Sequence, residues 1–305
     1  MFQSEEMVNQ VLDYSKILVD QVEREKGVHY GLKEKSKQYL IFAGMLSYYG
    51  LDNVTVIYEA FKLMNFHISN LSVEEIIEKN YHDVSNKDLE AIKKVAKAFV
   101  TPQVLVDSNG NYKRMYDLFV STSDHPLSLD TLVITCHEVN HIVNSVKNAF
   151  LEMNGKNYLR TGLYLLGLNG NKKNCIIEES INVLQTNEIV KEIINFSRFK
   201  IYDPVISSAL ENVSYAVKFP MRPKGYPDFV PIILPIYEDD RLHHVFKQGR
   251  LNGEVSFIRE EVDRKSSQGT FDELSNTLDQ MFFSPSNNFY ANRDKARGLV
   301  KRILM

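Results

Sequence analysis

The residues best suited to chemistry lie in "LVITCHEVNHIVNSV", residues 132–146. His137 and His141 are four apart, and residues four apart share one face of an α-helix. Both imidazoles can then reach one metal ion. Zinc takes neutral imidazole nitrogens at about 2.0–2.1 Å, which this spacing permits. Glu138 directly follows the first histidine. It is turned too far around the helix to be a comfortable third ligand, but it can reach a water held by the ion and take its proton.

At about 100° per residue, Leu132, Cys136, Val139, Val143, Val146 and Phe150 fall on one narrow stripe, the pattern of a core face. The histidines lie roughly 140–180° from its centre. One explanation is simply two histidines on a solvated face. Val133 and Ile134 nevertheless sit on that same side, one turn earlier. A solvated face does not favour two β-branched apolar residues, whereas a helix covered on one face and flanking a cleft on the other does. Cys136 falls on the core stripe and reads as packing rather than as a ligand.

A catalytic zinc keeps three protein ligands and one open position. Downstream, "NCIIEESINVLQT" opens a second predicted helix with Glu178 and Glu179 in its first turns. The helix dipole alone favours acids there. This pair, however, interrupts an apolar stretch, with Cys175, Ile176 and Ile177 before it and Ile181, Val183 and Leu184 after it. Asn182 and Gln185 add polar groups that need partners if the helix is buried. Either carboxylate is a candidate third ligand.

Taken together, these residues resemble the gluzincin class of zinc metallopeptidases, whose pattern is the two-histidine motif on one helix and a glutamate ligand on a following helix. The resemblance covers residues 130–190. It implies a zincin-like fold, one Zn2+ ion, His137 and His141 as ligands, and Glu138 as general base and proton carrier. The class glutamate usually precedes a small residue, as Glu179 precedes Ser180, so the resemblance assigns the ligand role to Glu179. Glu178 is the reserve, either as ligand or, with Asn182, as the partner that orients a ligating ring. A donor for the oxyanion would come from Tyr215, His243 or His244, with Tyr226, Tyr237 and Arg160 as further candidates. Residues 116–123, "YDLFVSTS", are nominated as the edge strand that aligns a substrate backbone. The implied activity is hydrolysis of peptide bonds in a peptide or protein. The alternatives are a non-catalytic zincin-like regulatory or binding protein, and a helical interaction protein carrying the motif by chance.

The elements that must position these residues read as α+β, mainly helical, with a small mixed or antiparallel sheet packed on the histidine helix. Residues 1–100 read as a helical region: helices opening at Ser4, running through "KSKQYLIFAGMLSYYG" to Gly50, and starting again at Ser72 and at Ser85, the last continuing to Val100. Residues 101–200 hold both candidate metal helices. They also hold a hairpin signal around an Asn-Gly in 101–123 and a single strand in "NYLRTGLYLLGLNGNKKN". Residues 201–305 complete the cleft; "RPKGYPDFVPIILPIY" reads as an extended loop or edge strand because of its prolines, and helices follow with breaks near Gly253, Gly269 and Pro285.

The totals bound the classes. At 305 residues the chain can bury a substantial core unaided. A net charge of −3, from 36 basic and 39 acidic side chains, argues against nucleic acid, which needs a concentrated positive field. Two cysteines give no disulfide framework. The first 20 residues lack the basic start and apolar run of a secretory signal, and no apolar run reaches the ~18 residues that span a bilayer. A soluble, cytoplasmic protein is expected.

Overall fold

The computed structural model describes residues 4–69, 75, 98–106, 112–121, 129–153, 155–167, 170–216, 228–283 and 288–305. Eleven α-helices and seven strands lie among the described residues. They gather into two compact units, residues 1–140 with 188–220, and residues 141–187 with 221–305.

In the first unit, α1 (Glu5–Lys26) opens where the Ser4 side chain accepts from the Met7 N–H at 3.2 Å and closes on the left-handed Gly27. Val8, Leu12, Val19 and Val22 form its buried stripe. α2 (Leu32–Tyr49) is buried continuously from Ser36 to Leu46. It accommodates a close helix neighbour at Gly44, where a Cβ would come within 2.5 Å of Ile193 and 3.3 Å of Ile189. α3 (Val54–Leu63) follows and packs Phe61 edge-on against Phe42. β1 (Met64–Ser69), β2 (Ala98–Val106) and β3 (Tyr112–Ser121) make a three-stranded mixed sheet in the order β1-β3-β2. β1 runs parallel to β3 and β2 antiparallel to it.

α4 (Leu129–Val143) carries the histidines, and α5 (Cys175–Phe196) carries the glutamates. The division between units falls after Asn140, inside α4, and after Asn187, inside α5. α6 (Pro204–Ala216) completes the first unit.

In the second unit, β4 (Phe150–Met153), β5 (Lys156–Thr161), β6 (Tyr164–Gly167) and β7 (Lys172–Lys173) form an antiparallel meander. Its core joins the first half of α5 to α7 (Val230–Tyr237), α8 (Asp240–Asn252), α9 (Val255–Lys265), α10 (Thr270–Phe283) and α11 (Phe289–Leu304). The chain is therefore α+β and mainly helical. No single helix among the described residues is long and apolar enough to cross a membrane.

Several local expectations are corrected. The helical reading of the first 100 residues misses β1, and the helix expected to run to Val100 meets β2 from Ala98 onward; the helix starts at Ser72 and Ser85 lie outside the described residues. The stretch read as one strand after Asn157 is two, because Gly162, at φ 58°, begins a two-residue turn between Thr161 and Tyr164. Residues 230–237 are helical despite their prolines. Pro231 lies in the first turn, where an N–H has no helical partner to lose. Pro235 lies one turn later on the same exposed side, while Ile232, Ile233 and Ile236 face the core. β3 is the central strand, paired on both sides over Tyr116–Val120, so it offers no free edge there to a substrate. α4 ends at Val143, and Phe150 is 56% exposed in β4 rather than on the helix stripe.

The tight approach at Gly44 yields a test. Gly44→Val should destabilise the first unit by about 1–3 kcal/mol through overpacking, read as a lower urea midpoint. An unchanged midpoint would contradict the close packing of α2 on α5.

Candidate functional site

α4 is fixed from its apolar side. Leu132, Cys136, Val139 and Val143 are buried, with Cys136 wholly enclosed and its thiol pKa pushed up by that burial. Two hydrogen bonds hold its polar positions: Tyr49 Oη donates to Asn140 Oδ1 at 2.7 Å, and Thr135 Oγ1 donates to the Thr131 carbonyl at 2.6 Å. Within Thr131–Ser145 only Val133, Ile134, His137 and Glu138 are half-buried; the rest are buried. The histidine side of α4 is thus neither solvated nor sealed. Val133 and Ile134 line the same partly open strip as His137 and Glu138.

One ligand atom each from His137, His141 and Glu179 lies within 4.8 Å of the others. His137 and Glu179 are half-buried and His141 is buried. Two imidazoles and a carboxylate on helices, with one side partly open, are a donor set suited to a divalent ion that keeps an exchangeable position. The fit is sharpest at His141, whose ring bridges the two adjacent glutamates. Its Nδ1 is 3.1 Å from Glu178 Oε1, and its Nε2 is 3.4 Å from Glu179 Oε1. With Nδ1–H donating to Glu178, Nε2 is the nitrogen presented toward Glu179.

Glu178 and Glu179 are neighbours in sequence with different surroundings. Glu178 is 1% exposed. Its Oε2 accepts from the Leu163 N–H at 2.7 Å and from Arg250 Nε at 3.0 Å. Its Oε1 accepts from Arg250 Nη2 as well as from His141. A carboxylate offers about four lone-pair sites, and these four bonds use them, so the reserve assignment of Glu178 as a metal ligand does not fit. Gly162 makes room for this carboxylate: a Cβ there would sit 2.1 Å from Glu178 Oε1.

The other candidates fall elsewhere. Asn182 Oδ1 accepts from Arg250 Nη2 at 3.0 Å. Arg160 is fully buried and donates to the carbonyls of Lys147, Asn148, Gly162 and Arg250, which makes it a brace for three backbone segments and not an oxyanion donor. His243 packs its ring 4.7 Å from Tyr237, and His244 is exposed on α8. Tyr215 lies in the last turn of α6, its side chain outside the described residues, as is all of Tyr226. Arg250 is the residue around this cluster that motif reading passes over. Its only sequence signal is indirect: Asn182 and Gln185 on an apolar helix call for a buried donor.

Comparison of the chain with protein-family models, with curated proteins and with solved structures finds no match.

Electrostatics follow the geometry. Burial alone would lower the His141 pKa, but the Glu179 charge and the hydrogen bonds to both glutamates outweigh it and push it up to about 10. Burial would raise the Glu178 pKa, but Arg250 and His141 hold it down to about 2. In metal-free protein the raised His141 value contributes stability that is complete below its ordinary 6.5 and is lost as pH rises toward 10. The depressed Glu178 value contributes stability that is complete above 4.5 and is lost as pH falls toward 2. Melting temperature of metal-free protein should therefore fall as pH rises through 7–10, and His141→Gln should flatten that limb. A flat limb in the wild type would contradict the ion-paired histidine.

Proposed function

We propose that the chain is a zinc-dependent metallopeptidase whose metal is held by His137, His141 and Glu179. The observation that carries this reading is the convergence of those three ligand atoms within 4.8 Å of one another, with Glu138 beside them on the partly open strip of α4. Two histidines and a carboxylate also suit iron(II). A carboxylate placed directly after the first histidine, where it reaches a water at the ion, favours hydrolysis and hence zinc.

Zinc, when bound, supplies a polarised water at neutral pH and a positive charge for the developing oxyanion. The chain's own residues do the rest. Glu138 accepts the proton of the attacking water on its carboxylate and delivers it to the nitrogen of the departing amine. Glu178 keeps the proton of His141 on Nδ1 and leaves Nε2 available as a ligand. The buried walls of α4 and α5 hold both histidines and Glu179 in place without help from substrate. The zincin-like fold and the cytoplasmic setting belong to this same proposal.

Metal analysis of purified protein should find close to one zinc per chain in the wild type and little in His137→Ala. Glu138→Gln should retain the zinc while peptide hydrolysis drops by about 10²–10⁴-fold, measured on a broad peptide library. Zinc-loaded wild type that cuts no peptide would favour a non-catalytic zinc-binding protein. Wild type that binds no metal would leave only a chance motif on a structural helix.

A further inference from the structure

Arg250 lies on α8, outside both candidate metal helices, yet its guanidinium is fully buried and spends its donors around Glu178. Nε and Nη2 address the two carboxylate oxygens side by side. Nη1 donates to Gln185 Oε1, and Nη2 also reaches Asn182 Oδ1 at 3.0 Å. Two parallel bonds fix the plane of a carboxylate in a way that a point charge cannot. With that plane fixed, the remaining lone pairs of Glu178 are aimed at the Leu163 N–H and at His141 Nδ1. The guanidinium is itself anchored: Asn182 and Gln185 lie one and two turns beyond Glu178 on α5, and Arg160 holds the Arg250 carbonyl at 3.3 Å. Exchanging a buried ion pair for apolar side chains is often neutral for stability, so folding alone does not call for one here.

From this we infer that Arg250 is a positioning residue of the metal centre: acting through Glu178, it sets which nitrogen of His141 carries the proton and where the other one points. The inference rests on the metal-site reading above and deepens it, adding a control point on α8.

The test is zinc affinity by competition with a chromogenic chelator at one fixed pH, for wild type, Arg250→Lys, Glu178→Gln and the double variant. Each single change should weaken zinc about 10–100-fold, the usual effect of disturbing a group that orients a ligand, and should shift the visible spectrum of the cobalt-loaded protein. Because Arg250 acts through Glu178, the double variant should bind no more weakly than Glu178→Gln alone. Wild-type affinity and spectrum in Arg250→Lys, or additive losses in the double variant, would overturn the inference while leaving the metal site intact, provided that wild type binds zinc and His137→Ala does not. Failure of wild type to bind zinc would instead remove the metal-site reading, and this inference with it. Should the variants not fold, ¹⁵N-histidine spectra of zinc-loaded wild type decide the link on which the role depends. His141 protonated at Nδ1 and ligated through Nε2 supports it, and the reverse assignment overturns it.

Discussion

Taking a carboxylate out of water costs several kcal/mol unless its lone pairs find donors, and Glu178 is the place where this chain meets that constraint. Four donors converge on it from three parts of the second unit: the turn after β5, the histidine helix and α8. Each donor is fixed in turn. The Leu163 N–H follows Gly162, whose missing Cβ makes room for the carboxylate, and Arg160 pins the Gly162 and Arg250 carbonyls. The local fold of the second unit is arranged so that one buried charge is fully satisfied.

That arrangement separates two adjacent residues into different jobs. Neighbours on a helix point about 100° apart. Glu178 faces inward among donors, whereas Glu179 remains half-buried with its Oε1 3.4 Å from His141 Nε2. A histidine between two carboxylates is a cation trap: without a metal it holds its own second proton to a pKa of about 10. A divalent ion at Nε2 would answer the same negative charge.

Much of this was legible in the residues because helical periodicity is local. The four-residue spacing of His137 and His141, the apolar stripe through Cys136 and Val139, and the acid pair interrupting an apolar helix are visible within single windows of sequence. So are the helix breaks at Gly253 and Gly269. What was not legible is tertiary or turns on one residue. Arg250 meets Glu178 across 72 positions of chain, and no local pattern marks an arginine as buried. The turn at Gly162 hides inside the strand-like stretch 158–166, where no proline or Asn-Gly pair marks it. The prolines of residues 230–237 suggest an extended segment until their shared exposed side is seen.

In the proposed site Glu179 completes the metal ligands while Glu178 orients His141. Diffraction from zinc-loaded crystals, with anomalous data collected at the zinc edge, tests it most directly. One strong anomalous peak is expected, bonded to His137, to His141 through Nε2 and to Glu179, with Glu178 still paired to Arg250. A peak bonded to Glu178, or a zinc ion bound away from the two histidines, would contradict it.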